Sequence, residues 1–377
     1  MYRCLQVPSL ITPATLFVVP SISSVSVNAS VPSLDITNSS EAHRFAYFTP
    51  LNTTISNADP NSYIFDGPRS ILTRLSTATA SYGQILPISP PFSDSSYSLS
   101  FAGPYVNCTS GNANSFNSTV QGFMELFLQK MNSSLHQSSL GEQFAYYAFV
   151  PSFDLDVEGS NTVFFNGTGL TALDQPRLQE QPGNATNELW ITFYRYLTDR
   201  NGNYVLDVNQ NKIPEQMYGV CSLWNVTYDL NFSYDGGAQN ITNNSITPLN
   251  PVVYPTTTAQ EDSNLVQLSY SAVFWVITDQ LVGSMGLVDY TNSSQNGTST
   301  PGYGSIDTNI EHNSLLGSND LDYFFDLNAE VYNDTNQPLS DQRLLDKELG
   351  QNQTLPFLIE QLSYNVTMSL MNDPLLA

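Results

Sequence analysis

The stretch Trp224-Asn225-Val226-Thr227-Tyr228-Asp229-Leu230-Asn231-Phe232-Ser233-Tyr234 alternates large apolar and polar side chains without a break. Successive side chains of a strand point to opposite faces. This period of two therefore predicts a half-buried strand with Trp224, Val226, Tyr228, Leu230, Phe232 and Tyr234 inward. The N-glycosylation sequons (N-x-S/T) at Asn225 and Asn231 fall on the polar side. A glycan must reach solvent, so a second argument turns the same face outward.

Other strands follow from the same rule. Tyr97, Leu99 and Phe101 alternate with serines. Leu189–Leu197 (LWITFYRYL) runs through Asp199-Arg200-Asn201-Gly202 to Tyr204-Val205-Leu206, and Asn-Gly between two such runs signals a hairpin. Phe144–Val150 (FAYYAFV) is apolar on both faces and reads as a central strand. Helices are fewer. Val120, Phe123, Met124, Phe127, Leu128 and Met131 keep 3/4 spacing behind a Ser118–Gln121 capping box. Residues 262–284 and the C-terminal LPFLIEQLSYNVTMSLM are the other candidates. In the latter, Leu358, Ile359, Leu362, Val366 and Leu370 share one face. Segments 240–262 and 291–304, rich in Asn, Thr, Pro and Gly, read as loops. The expected fold is mainly β (α+β), with antiparallel sheets and three or four packed helices. It forms one domain over residues 1–377 or two intimate lobes.

Composition narrows the function classes. The 377 residues carry 34 Asp plus Glu against 11 Lys plus Arg, a net charge of −23, yet only 12% are charged. With 20 Phe, 21 Tyr and 3 Trp the chain can offset the entropy of folding, which excludes a disordered acidic tail. It lacks the clustered cations needed to neutralise nucleic-acid phosphates or to hold an anionic membrane surface. Carboxylates that protonate in acid relieve self-repulsion, so the fold is expected to tolerate mildly acidic surroundings.

Sequons are the strongest compartment signal. There are 17, at Asn28, Asn38, Asn52, Asn107, Asn117, Asn132, Asn166, Asn184, Asn225, Asn231, Asn240, Asn243, Asn292, Asn296, Asn333, Asn352 and Asn365. With 36 Asn and 76 Ser or Thr in the chain, about 7 would arise by chance. The excess points to a eukaryotic secretory route and a glycosylated extracellular domain. The N-terminal MYRCLQVPSLITPATLFVVP is broken by Pro8 and Pro13 and does not read as a signal peptide. The longest apolar stretch, Asn264–Thr278, would rise about 22 Å as a helix, short of a hydrocarbon core about 30 Å thick. It is expected to be a buried helix. Targeting or spanning segments are thus expected outside these residues. Of Cys4, Cys108 and Cys221, the last two sit on strand-like elements and form the preferred disulfide among three possible pairings, with Cys4 free or paired elsewhere.

Four strings in order, CLQVPSLITPATLFV, YSLSFAGPYVNC, CSLWNVTYDL and LIEQLSYNVTMSLMNDPLL, resemble the large extracellular domain of a family of uncharacterised fungal multi-pass membrane proteins. The resemblance implies membrane helices before and after this domain. Relatives often carry a second cysteine shortly before the F-x-G-P-x-x-x-C string. Pro91–Tyr97 has none here, which favours the long-range pairing. Some relatives are labelled formylmethionine deformylase-like. That chemistry needs an HExxH metal site, and no His here precedes a Glu.

Catalytic patterns are absent otherwise. His43, His136 and His312 lie far apart, and no zinc site, other cofactor or GxSxG elbow is expected. Asp154, Asp156 and Glu158 form a weak acidic candidate. At strand spacing they share a face about 6.6 Å apart, as an inverting glycosidase pair or a calcium site would need. Asp207-x-Asn209-x-Asn211 resembles the start of a calcium loop, but Lys212 stands where glycine is required. Asp320, Asp322 and Asp326 read as surface residues. The favoured expectation is a non-enzymatic extracellular or lumenal domain of a fungal integral membrane protein at the cell membrane. Sensing, adhesion or cell-wall contact would be its role, with an unknown ligand or cell-wall component as partner. The alternative is a secreted, acid-adapted hydrolase acting on polysaccharide.

Overall fold

In the computed structural model the chain is mostly β, with two antiparallel sheets and packed helices. The structure describes residues 24–50, 63–117, 120–122, 124–125, 143–151, 186–200, 202–255, 262–290, 300–306, 308–325 and 353–377. In chain order the elements are β1 (Ala46–Pro50), β2 (Tyr63–Pro68), α1 (Ser70–Tyr82), β3 (Ser95–Asn112), β4 (Gln143–Phe149), β5 (Glu188–Tyr196) and β6 (Pro214–Asp235). Then follow β7 (Ala238–Pro251), α2 (Asp262–Thr278), β8 (Gly283–Tyr290), β9 (Thr300–Ile306) and α3 (Leu355–Ser369). All of them belong to the unit formed by residues 32–377, and residues 1–31 form a separate one. β1 pairs with β2, and the large sheet runs β3-β6-β5-β4-β8-β9 with β7 also on β6.

The alternating stretch at 224–234 is the second half of β6, the spine of the large sheet. β3 pairs with it in unbroken register from Ser95 opposite Tyr234 to Asn112 opposite Met217. Its other side is shared. β5 pairs with residues 214–222, and β7 takes 224–235. The β6–β7 turn is Gly236-Gly237, both at positive φ (56° and 86°), the geometry a two-residue hairpin requires. The loop expected over 240–262 is therefore corrected to a strand as far as Pro251. Its exposed Asn and Thr side chains hide the signal, and pairing with β6 imposes the conformation. Likewise residues 300–304 of the loop expected over 291–304 belong to β9. β4 lies between β5 and β8, central as expected. The expected hairpin after Leu197 turns at Gly202, and its arms meet through an isolated bridge at Thr198–Tyr204 and the Val205 N–H donating to Leu197 O at 2.8 Å. A second bridge, Leu206–Lys212, closes the turn that follows.

Inward side chains confirm the alternation from Val226 onward, since Val226, Tyr228, Leu230, Phe232 and Tyr234 are buried. Below that point the buried phase changes to Cys221 and Leu223. No register shift with β3 accompanies the change, so it reflects a change of cover. α3 packs on one face, where its Tyr364 ring lies 6.1 Å from Tyr228. α2 covers the other, where the Tyr270 hydroxyl donates to Asn225 Oδ1 at 2.9 Å. Asn225 is thus half-buried, a correction to the solvent-facing position expected for it, whereas Asn231 is exposed.

α2 is buried nearly all round through Leu268, Tyr270, Ala272, Val273, Phe274, Val276 and Ile277. It ends at Thr278, short of the expected 284, because Gly283 (φ 109°) already opens β8. Of the helix expected over 120–131, residues 120–122 and 124–125 are helical with Val120 and Met124 buried, and Ser118 lies outside the described residues. α1 has no counterpart among the expected helices. Its buried stripe includes Ser76 and Thr79, whose hydroxyls donate to Val276 O (2.8 Å) and Leu75 O (2.7 Å).

β3 is an edge strand, and α3 covers that edge. Ser363 Oγ accepts from Val106 N–H at 2.8 Å, Glu360 Oε1 accepts from Cys108 N–H at 2.9 Å, and Thr367 Oγ1 donates to Pro104 O at 2.8 Å. These spacings put all three side chains on one side of the helix, which satisfies backbone groups that would otherwise template another chain. Gly103 makes the approach possible, since a Cβ there would sit 3.2 Å from the Tyr228 ring and 3.3 Å from Thr367. The preferred disulfide is present. Cys108 and Cys221 face each other across β3 and β6 with Cα atoms 4.0 Å apart.

Candidate functional site

A cleft of about 420 Å³ opens where two strands meet end to end on the same side of β6. β5 begins with Glu188 opposite Ser222, and β7 ends with Pro251 opposite Trp224. Leu223 lies between them. Its N–H donates to Asn187 O at 3.0 Å and its carbonyl accepts from Val252 N–H at 2.9 Å. The buried Asn187 side chain stitches the junction, donating through Nδ2 to Val252 O (3.0 Å) and to Ser271 Oγ on α2 (2.9 Å). The break in the sheet is therefore a bonded structure.

Trp190 and Trp224, both half-buried, line this cleft with Glu188, Asn187, Tyr254 and the exposed Val253. The Trp190 indole N–H donates to Glu188 Oε2 at 3.0 Å, and its ring meets Phe149 edge-on at 5.8 Å. Both contacts hold the indole in place. Tyr254 is buried behind the wall, and burial pushes its phenol well above the usual range. Among the described lining residues there is no Lys, Arg or His. Among them one carboxylate stands with two indoles and an amide, a set that can bind a ligand.

The residues singled out from sequence lie elsewhere. Asp154, Asp156 and Glu158 fall outside the described residues. Asp207 serves its own turn. Its Oδ1 accepts from the Asn209 and Asn211 N–H groups at 2.7 and 2.8 Å, and those bonds, the Asn211 one foremost, hold its carboxyl below the usual range. Lys212 lies over the rings of Tyr196 and Tyr204, 4.7 and 4.6 Å from their centroids. Asp320 and Asp322, expected at the surface, are buried. Asp320 Oδ2 accepts from Leu355 N–H at 2.8 Å at the start of α3, and Asp322 Oδ2 accepts from the Tyr204 hydroxyl. Burial pushes the Asp320 carboxyl up, against the Leu355 bond and Arg195. Among the described residues no His, Cys, Asp and Glu gather as a metal site.

Nine sequon asparagines are described. Asn28, Asn38, Asn107, Asn117, Asn231, Asn240 and Asn243 are exposed, Asn225 is half-buried and Asn365 is buried. From that buried position Asn365 Nδ2, the atom a glycan would occupy, donates to Gly83 O at 3.2 Å. Sequence reasoning missed the cleft because it is made by β7, hidden in an apparent loop. The prolines that bracket Pro248–Pro255 were its one local trace. Comparison with protein-family models, curated proteins and solved structures finds no match to this chain.

Proposed function

We propose that this chain is the non-enzymatic extracellular or lumenal domain of an integral membrane protein. It is held at the cell membrane by segments outside it and acts in sensing, adhesion or cell-wall contact through the cleft at Leu223. The observation that carries this reading is the Cys108–Cys221 bridge between β3 and β6 of the main sheet. Such a bond persists in an oxidising compartment and is rare in the cytosol. Seven of the nine described sequon asparagines are exposed, which fits glycosylation of the folded domain. The four family-like strings supply the fungal and membrane parts of the reading.

The test is expression of the whole natural gene product in a fungal host, followed by glycosidase digestion and thiol labelling. A glycosylated, membrane-associated protein with Cys108 and Cys221 blocked to alkylation is expected. A soluble cytosolic protein with both thiols reactive and no glycan refutes the reading.

A further inference from the structure

We propose that the cleft at Leu223 holds a neutral pyranose unit of a cell-wall polysaccharide, set against the indoles of Trp190 and Trp224 with its hydroxyls on the Glu188 carboxylate. This rests on the extracellular binding reading above and names its ligand class.

Two of the chain's three tryptophans line this one cleft. An indole presents a wide face of negative potential that attracts the polarised C–H groups of a sugar ring, and it loses little entropy on binding because it turns about only two bonds. Trp190 is already fixed by Glu188 and Phe149, and Trp224 sits on a strand paired on both sides. Ordering costs are therefore small. Glu188 supplies a charged acceptor for ring hydroxyls, and such bonds are stronger than neutral ones.

Charge favours a neutral saccharide. Among the described residues no cation lines the cleft, Glu188 contributes a carboxylate to it, and the whole chain carries −23. Uronic, sulfated and phosphorylated glycans are repelled both at long range and on contact. The volume of about 420 Å³ lies within the range of small-molecule sites, and Val253, 58% exposed, marks a mouth open to solvent, as a polymer needs.

The experiment is calorimetry on the folded, disulfide-bonded protein with three probes of equal length: a chitin hexasaccharide, a β-1,3-glucan hexasaccharide and a hexagalacturonate. Saturable binding of a neutral probe and none of the acidic one is expected. Trp224→Ala should weaken binding at least tenfold and Glu188→Gln several-fold, with the melting temperature of Glu188→Gln close to that of the parent as the folding control. Absence of binding to both neutral probes, tighter binding of the acidic one, or affinity unchanged in both variants overturns the inference. A glycosylated surface protein that ignores neutral glycans refutes the ligand class alone, whereas cytosolic location with reduced cysteines refutes the reading beneath it.

Discussion

Replacing Ser363 by Ala removes the hydroxyl that receives Val106 N–H at 2.8 Å in a buried setting. Val106 faces away from β6 at this position, so its amide is left buried and unpaired. A buried donor without a partner costs about 1–3 kcal/mol. Thr367→Val is the matched comparison. Thr367 Oγ1 donates to Pro104 O, but that carbonyl also accepts from the Tyr228 hydroxyl at 2.7 Å. The acceptor keeps a partner, and the loss falls to the net value of one hydrogen bond, about 0.5–1.5 kcal/mol. Urea unfolding of the disulfide-bonded protein reads both as midpoint shifts at constant slope. Hydrogen exchange at Val106 should accelerate in Ser363→Ala and stay slow in Thr367→Val. If Thr367→Val costs as much as Ser363→Ala, or if Ser363→Ala is neutral, the helix does not satisfy the strand edge as described.

Three more outcomes are expected. The folded-state pKa of Asp320 is raised by burial, so its ionisation opposes folding above that value and its protonation favours folding as pH falls through it. Asp320→Asn should remove this contribution and leave the melting temperature less dependent on pH over the acidic range that begins near the ordinary Asp value of 3.8 and ends at the raised one; a steeper dependence in the variant would contradict the assignment. Replacing Cys108 and Cys221 by Ser opens a loop spanning 113 residues and should destabilise by about 4–5 kcal/mol, read from denaturant titration. Mass spectrometry of the folded glycoprotein should find Asn365 bare and a glycan at Asn231, and a glycan at Asn365 in folded material would refute the packing seen there.

Periodicity made β3, β4, β5, β6, α2 and α3 legible, because each buries a continuous apolar face. The same rule failed where the buried stripe is built from hydroxyls, as in α1, since Ser76 and Thr79 look like surface residues until their carbonyl partners are known. β7 was illegible because its side chains are mostly exposed and its conformation comes from β6. Asp320 was misplaced for a related reason. Its carboxylate is drawn inward by the N-terminus of α3, 35 residues further along the chain. Beyond the prolines of 248–255 the cleft left no trace in the sequence, as Glu188 and Pro251 become neighbours only through a shared strand.

The covered edge of β3 also sets how the domain would respond to mechanical load. A pull on Ala377 passes through the packed residues 370–376 to α3, and the helix's bonds to Pro104, Val106 and Cys108 lie at successive points along it. They yield one after another in peeling, at lower force than bonds sheared together. Peeling bares β3 while leaving its ladder to β6 intact, and separation of those strands then stops at the covalent Cys108–Cys221 link. Tension would thus uncover a hydrogen-bonding edge before it unfolds the sheet, turning force into an exposed surface.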